Sequence, residues 1–234
     1  MTRRNRVTPT GAIEPLDLRG AWMGNRGVLH GADGSIHTPW RLTAWLVCRT
    51  RFKDRRRTIM APGRYTELFF LDEAHALAAG HRPCHECRRA DAVAFQRAAG
   101  HERVGSLDAA LHDERLEEGR GPRRQRRKRL HPTRPGDVPM GAMVLVGETC
   151  FLRRSAGNGG DDFVAWTRTH EPGRYHALTR GTGPAANDAR ELRRRVRAGD
   201  RLAMLTPPTT ARAIRDGYAV ALHPSARADV EAAP

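Results

Sequence analysis

The stretch "EAHALAAGHRPCHEC", residues 73–87, joins a short helical pattern to two cysteines at Cys-x-x-Cys spacing. Asp72 is placed to cap the helix, Ala and Leu favour helical conformation, and Gly80 predicts its end. Cys84 and Cys87 follow in a turn that can direct both sulfur atoms to one side. The spacing is typical of half a tetrahedral metal site, of a thioredoxin-like redox pair, or of two ordinary thiols in a turn.

The helices around the cysteine pair argue against redox chemistry. A thioredoxin-like pair lies at the N-terminus of a helix in a βαβ unit, where the helix dipole lowers the pKa of the first thiol. Here the pair follows one helical pattern as well as preceding another, "RRADAVAFQRAAG", and no thioredoxin-like strand order surrounds it. A metal site and a pair of structural thiols remain as alternatives.

Two strand patterns precede the helix, and the first carries another cysteine. "RLTAWLVCRTRF" contains Cys48, and "YTELFFL" follows after a basic loop. The order of strand, basic loop, strand, helix and Cys-x-x-Cys resembles the N-terminal metal-binding domain of Ada-type DNA methyl-phosphotriester repair proteins, over residues 45–100. The family motif ends its helix in Ala-Ala-Gly-aromatic-Arg-Pro-Cys-x-x-Cys. Here His81 takes the aromatic position, and Arg88-Arg89 replaces the basic-Pro pair of the family.

The resemblance implies a zinc site formed by Cys84, Cys87 and Cys48, the last at the position of the cysteine that accepts the methyl group in the repair proteins. The family has a further zinc cysteine four positions after it, where this chain has Phe52. Three of four ligands therefore carry over. The fourth is left open among Cys150 and the histidines: His81 and His85 are expected to pack or cap the turn, and His112 is placed to fold back.

The missing fourth cysteine counts against methyl transfer. A self-methylating thiolate depends on an electron-rich four-thiolate zinc site, and a mixed site is less nucleophilic. The sequence also shows no recognisable helix-turn-helix and no second alkyltransferase domain. The fold can be shared while the chemistry differs.

Composition and cysteine number favour a folded protein of a reducing compartment. The chain has 234 residues, of which 39% are hydrophobic and 29% charged, and only four cysteines, too few for a secreted disulfide scaffold of this length. The first twenty residues lack the apolar run of a signal peptide, and no window reaches the roughly 18 apolar residues of a membrane span. We expect a bacterial-type, cytoplasmic protein without a membrane partner.

The charge predicts a polyanionic partner. The formal net charge is +15, and Lys occurs only at positions 53 and 128, so nearly all basic residues are Arg. Codon usage in a GC-rich genome can explain Arg over Lys, but it does not explain the sign of the charge. A surplus of this size favours DNA or RNA. The predicted nucleic-acid contacts are Arg55, Arg56, Arg57, Arg88, Arg89, Arg123, Arg124, Arg126, Arg127, Lys128 and Arg129.

A basic tract divides the chain. "GRGPRRQRRKRLHPTRPG", residues 119–136, has eight basic residues, no acidic ones and three prolines, which is typical of a linker or a nucleic-acid arm. Short strand patterns follow it. The predicted fold is α+β, an Ada-like zinc-binding domain before a small β-rich domain. The predicted organisation is a flexible arm at 1–20, the zinc-binding domain at 21–118, the basic linker at 119–136, a β-rich α+β domain at 137–225 and a tail at 226–234.

The leading hypothesis is a zinc-containing nucleic-acid-binding protein related to DNA repair, with the zinc structural. One alternative is an enzyme on nucleic acid, either an alkyl acceptor through Cys48 or a hydrolase using His112, Asp113 and Glu114. Those three residues lie on a short charged helix with no partner at a firm spacing, so we expect none of them to be catalytic. Another alternative is an Arg-rich module that binds an acidic protein. The sequence contains no P-loop, G-x-S-x-G, H-E-x-x-H or dinucleotide fingerprint.

Overall fold

The computed structural model describes residues 2–55, 58–117, 127–156, 161–167, 174–176 and 182–227. Within these ranges the chain forms six α-helices and twelve strands, and the strands are arranged in two six-stranded sheets. The predicted α+β class is confirmed. No helix in the described ranges is both long enough and apolar enough to cross a bilayer.

The first sheet is mixed and has the strand order β2-β1-β5-β3-β4-β6. Strands β3 and β4 run antiparallel, with Met23 opposite Cys48, and β6 runs parallel to β4. The strands are β1 (Arg6–Val7), β2 (Ile13–Glu14), β3 (Trp22–Asn25), β4 (Leu46–Arg49), β5 (Leu68–Phe70) and β6 (Arg82–Pro83).

The sequence predicts a flexible arm at residues 1–20. In the structure these residues instead supply β1 and β2 of this sheet. Arg6 pairs in parallel with Phe69 of β5, and Val7 and Leu18 are buried in the core. Each strand is only two residues long. A segment this short has no detectable alternation of apolar residues, and its partner lies far away in sequence, so composition alone suggested a loose arm.

Three helices follow the first five strands: α1 (Glu73–Ala78), α2 (Arg89–Ala98) and α3 (Val104–Arg115). The N-cap of α1 is Asp72, which accepts a hydrogen bond from the backbone N–H of His75 at 2.9 Å. Gly80 follows at a φ of +94°, and a Cβ there would lie 2.8 Å from the Cβ of Arg115. Both local signals of the sequence are therefore found in the structure.

The second sheet is antiparallel and has the order β11-β10-β9-β8-β12-β7. A single 3₁₀ turn, Pro135–Asp137, and three helices accompany it. The strands are β7 (His131–Thr133), β8 (Met143–Val146), β9 (Thr149–Ser155), β10 (Asp161–Trp166), β11 (Tyr175–His176) and β12 (Leu202–Met204), and the helices are α4 (Pro184–Ala198), α5 (Pro208–Arg215) and α6 (Pro224–Arg227).

The C-terminal part of the predicted basic linker belongs to this second sheet. β7 is its edge strand and pairs with β12, with Leu202 opposite Thr133. Lys128 makes an isolated antiparallel bridge to Leu116 at the end of α3. The first part of the tract, residues 119–126, lies outside the described residues, as do residues 228–234 of the predicted tail.

Helix α1 connects the two sheets through a common core. Leu71, Ala74 and Ala78 pack in one cluster with Met143, Leu152 and other side chains of the second sheet. The shared cluster means that the basic tract does not separate two independent cores. Polar contacts cross the same boundary, since the Glu73 carboxylate accepts a hydrogen bond from the Tyr218 hydroxyl at 2.6 Å.

Candidate metal centre

Three cysteines meet at one end of the first sheet. Cys48 lies in β4, Cys84 directly follows β6, and Cys87 lies in the turn before α2. The parallel pairing of β4 with β6 brings the first two together, because the backbone N–H of Cys84 donates to the Val47 carbonyl at 3.1 Å. All three side chains are free thiols. Their sulfur atoms lie within 4.8 Å of one another.

The spacing of the sulfur atoms suits a tetrahedral metal ion. A zinc ion with Zn–S bonds of about 2.3 Å holds its sulfurs about 3.8 Å apart, which agrees with three sulfur atoms that all lie within 4.8 Å of one another. Thiolate sulfur is also the ligand type that zinc and iron–sulfur centres prefer in tetrahedral sites. The three cysteines therefore form a cluster that can hold a metal ion.

Backbone N–H groups around the sulfurs favour the thiolate form. The N–H groups of Glu86 and Cys87 point at the Cys84 sulfur, and the N–H of Arg49 donates to the Cys87 sulfur at 3.4 Å. A hydrogen bond from the Cys48 thiol and these N–H groups lower the pKa of Cys84 to about 5, although burial opposes the shift. Ligands of a metal must lose their protons, and this turn stabilises the resulting negative charge.

Cys48 has the opposite tendency, because it is the hydrogen-bond donor of the group. Its thiol donates to Cys84 and Cys87, and these two bonds, together with burial, raise its pKa well above the usual range for a thiol. A bound cation would displace the Cys48 proton and relieve the repulsion between the thiolates.

Apolar side chains surround the cluster on its inner side. Met23 is buried with Cys48 and Cys84, while Leu46, Tyr65 and Phe69 pack against them. Cys48 is only 8% exposed and Cys84 only 5% exposed, whereas Cys87 is half-buried on the outer side. The apolar surroundings keep water from the inner two sulfurs, so the site is accessible mainly from the side of Cys87.

No described residue supplies a fourth ligand. Among the described residues, the three cysteines are the only His, Cys, Asp or Glu side chains in the ligand group. Phe52, which stands where the Ada-type family has a cysteine, lies in a loop that packs beside the Cys-x-x-Cys turn. That loop is tied to the turn by an ion pair of 2.7 Å between Arg55 and Glu86, both exposed. Sites with three protein ligands keep one position open to water or an external group.

The other candidates for the fourth ligand lie elsewhere. Cys150 is buried in the core of the second sheet, in the cluster that contains Trp166. His81 is fully buried, accepts a hydrogen bond from Arg26 at 3.1 Å and packs edge-on against Phe70, as expected for a packing role. His85 is half-buried next to Cys84 but does not join the ligand group.

His112 lies at the C-terminal end of α3, away from the cysteine group. Its Nδ1 is 3.2 Å from a guanidinium nitrogen of Arg115, and its ring packs edge-on against Trp40. We therefore expect His112→Ala to leave the metal content of the purified protein unchanged. Elemental analysis of this variant beside Cys87→Ser checks the expectation, since loss of metal in both would make His112 a ligand.

The predicted nucleic-acid contacts fall into three groups in the structure. Arg55 and Arg89 are exposed on either side of the Cys-x-x-Cys turn, and Arg127 is exposed in the basic tract. Arg129 is half-buried, and its N–H donates to the Arg115 carbonyl at 3.1 Å. The remaining surface candidates lie outside the described residues: Arg56, Arg57, Arg123, Arg124 and Arg126.

Two of the predicted contacts point into the protein instead of toward a nucleic acid. Arg88 is buried and forms ion pairs with Glu73 at 2.7 Å and with Asp91 at 2.8 Å. The amine of Lys128 donates to the carbonyl of Ala78 at 2.6 Å. Neither charged end therefore lies on an exposed basic surface, where the prediction placed it. The sequence shows each of them only as part of a basic run.

A basic helix face was missed in the sequence. Arg190, Arg193, Arg194 and Arg197 of α4 line one shallow depression on the surface, because spacings of three and four residues place side chains on the same side of a helix. Arg194 forms ion pairs with Glu191 and Asp200. The i, i+3, i+4, i+7 spacing was the signal that could have identified this face.

No protein-family model, no curated protein and no solved structure matches this chain.

Proposed function

We propose that the protein binds zinc through Cys48, Cys84 and Cys87 and that this zinc-stabilised part of the fold binds nucleic acid. The observation that carries the metal assignment is the group of three thiols within 4.8 Å. Zinc fits the three thiols because it prefers thiolate sulfur in tetrahedral sites and needs no electron transfer. Zinc is then a structural cofactor.

The order of elements supports an Ada-like assignment for residues 45–100. A strand with Cys48, a capped helix and the Cys-x-x-Cys turn follow one another as they do in the repair family that the sequence resembles. The three cysteines are close in space, as that resemblance implies. A setting in DNA repair is part of this proposal.

Exposed cations beside the cysteine group support a nucleic-acid partner. Arg49, Arg51, Lys53 and Arg89 are exposed around the site, and the whole chain carries a net charge of +15. Contacts between such cations and phosphates supply most of the affinity of non-specific nucleic-acid binding. The proposal therefore places the nucleic acid across the open side of the metal centre, near Cys87.

Binding is favoured over methyl transfer because of the position of Cys48. Cys48 is buried on the inner side of the cluster, opposite Met23 in the sheet. An alkyl acceptor must let the phosphotriester reach its sulfur, and here the accessible sulfur belongs to Cys87. The alternative of an acidic protein partner uses the same charged surface and is separated from nucleic-acid binding by experiment.

We expect the triple variant Arg51→Gln, Lys53→Gln, Arg89→Gln to bind a labelled DNA duplex about tenfold or more weakly than the wild type. Each lost phosphate contact also lowers the log–log salt slope by about 0.9. Sequence preference should not change, since phosphate contacts position a protein without reading bases. Fluorescence anisotropy titrations at two salt concentrations measure both quantities.

A matched variant removes the same charge from α4: Arg190→Gln, Arg193→Gln, Arg197→Gln. Equal weakening by both variants would show that net charge, and not the metal-centre face, determines binding. A wild type that binds neither duplex DNA nor RNA, but does bind an acidic polypeptide, would replace the nucleic-acid assignment with the acidic-partner alternative.

A further inference from the structure

A cavity of about 330 Å³ lies on the structure apart from the cysteine group. The turn at residues 10–12 forms one wall, and Pro39 and Trp40 form another. The ends of α1 and α3, at Ala79 and at residues 115–116, close it together with residues 127–128. This size is at the lower end of pockets that bind small molecules, about 300–1,000 Å³.

Four cationic side chains line this cavity: Arg127 is exposed at its rim, and the charged ends of Arg26, Arg115 and Lys128 are enclosed. Arg26 and Arg115 are among the largest fully buried side chains of the protein, and the amine of Lys128 is directed inward. Their hydrogen bonds go to uncharged groups. Arg26 donates to the Gly11 carbonyl and the His81 ring. Arg115 donates to the carbonyls of Gly80 and Thr43 and contacts the His112 ring. Lys128 donates to the Ala78 carbonyl.

No carboxylate in the described part of the chain forms an ion pair with any of the three. The acids that act on them from a distance are on α3. Asp108 there is already paired with Arg82 at 2.7 Å, Glu114 accepts hydrogen bonds from Thr209, and Asp113 is exposed. The positive charge of the cavity is therefore not neutralised locally.

Two guanidinium nitrogens of this group have no hydrogen-bond partner among the described residues: Nη2 of Arg26 and Nε of Arg115. The Trp45 ring lies close to both guanidinium groups, with centroid distances of 3.8 Å to Arg26 and 4.3 Å to Arg115. Such contacts partly compensate two buried cations. They do not satisfy the unused N–H groups, and burying several like charges without counter-charge costs several kcal/mol per ion.

The titration behaviour of these groups agrees with the unbalanced charge. Burial, together with the neighbouring Arg115 and Arg26, lowers the pKa of Lys128 to about 7. Burial, and then Arg115, likewise lower the pKa of Arg26. An anion in the cavity would oppose both effects, since an opposite charge nearby favours the protonated form of a cation.

We propose that this cavity binds phosphate or a small phosphate monoester as a dianion. Guanidinium groups offer paired N–H donors that fit the oxygens of phosphate. A dianion balances three converging cations better than a carboxylate does. The volume admits a ligand of about the size of a mononucleotide, with Trp40 as an apolar wall beside it. The site does not depend on the metal centre or on the proposed function.

Isothermal titration calorimetry of the full-length protein tests the site, with inorganic phosphate, adenosine 5′-monophosphate and acetate as the titrants. The experiment is done at pH 7, where a phosphate monoester is mostly dianionic because its second pKa is about 6. We expect phosphate and the nucleotide to bind and acetate to bind at least tenfold more weakly. Absence of phosphate and nucleotide binding, or equal binding of acetate, would overturn the proposal.

Lys128→Met assigns the binding to this cavity, because it keeps the length of the side chain and removes the amine. A hydrogen bond to a charged group contributes about 1.5–3 kcal/mol, so we expect phosphate affinity to fall about 10- to 100-fold. Arg197→Gln, on the exposed face of α4, removes the same charge and should leave the affinity unchanged. Equal losses in both variants would show a general charge effect and contradict the site.

A second variant covers the case in which Lys128→Met does not fold. Arg127→Gln changes an exposed residue at the rim of the cavity, and we expect a several-fold loss of phosphate affinity relative to Arg197→Gln. Oligonucleotides with and without a 5′-phosphate identify the source of the ligand. Stronger binding of the phosphorylated strand than of adenosine 5′-monophosphate assigns the cavity to strand ends, and the reverse assigns it to free phosphate monoesters.

Discussion

Replacing Cys84 with Ser is expected to abolish zinc binding and to destabilise the part of the fold around the first sheet by on the order of 10 kcal/mol, the apparent contribution of a structural zinc site. Cys84 is the central ligand of the group, since its sulfur accepts hydrogen bonds from backbone N–H groups of the turn and from the thiol of Cys48. Serine cannot supply a thiolate. The purified wild type should contain one zinc ion per chain, and the variant none.

Elemental analysis combined with chemical denaturation measures both effects. Cys150→Ser is the matched control, because it makes the same chemical change at a buried thiol of β9 that is outside the ligand group. That variant should keep its zinc. Treatment of the wild type with a chelator should reproduce the loss of structure seen in Cys84→Ser. A wild type without stoichiometric metal would remove the zinc assignment altogether.

The pH dependence of zinc binding follows from the same chemistry. The ligands bind metal as thiolates, so protons compete with zinc and the site must lose metal as the pH falls. The low pKa of the Cys84 thiol extends binding toward acid, because this ligand is deprotonated without the help of the metal. Zinc retention measured across a pH series in the wild type would show this competition.

The features predicted well are those encoded over a few neighbouring residues. Helix α1 was predicted from Asp72, its apolar Ala and Leu residues and Gly80. In the structure Asp72 caps the helix and Gly80 follows its end with a positive φ. The approach of Cys48 to the Cys-x-x-Cys turn could not follow from spacing alone. It was expected from the order of elements in a resembling family, and in the structure it arises from the parallel pairing of β4 with β6.

The features predicted badly depend on contacts between distant residues. Buried arginines are the clearest case, because a sequence does not distinguish an enclosed Arg from an exposed one. Arg26 and Arg115 come from separate segments and meet around Trp45. Arg88 was grouped with Arg89 as a surface pair, yet helix geometry directs it inward to Glu73. The cavity and the buried ion pair therefore could not be predicted from the sequence.

Glu73 is expected to be one of the most sensitive positions of the protein, and Glu73→Gln should lower the free energy of unfolding by about 3–5 kcal/mol. Its carboxylate is fully buried, pairs with Arg88 at 2.7 Å and accepts hydrogen bonds from the Tyr218 hydroxyl and the Ala221 N–H. Burial lowers the pKa of Arg88, but Glu73, Tyr218 and Asp91 together outweigh burial and raise the pKa above its usual value. Glutamine leaves that guanidinium buried without its main counter-charge.

Asp91→Asn is the matched control, because Asp91 is the second carboxylate on Arg88 but its side chain is 41% exposed. An exposed ion pair contributes about 0–1 kcal/mol, so this variant should cost far less than Glu73→Gln. Equal costs in urea denaturation would contradict the assignment of Glu73 as the main counter-charge.

The double variant Glu73→Gln, Arg88→Met adds a direct test: removing both charges should restore part of the lost stability, since an unpaired buried charge is worse than none. Because Tyr218 and Ala221 follow the second sheet in sequence while Glu73 begins α1, the single variant should also weaken the coupling between the two halves, and their unfolding transitions should separate.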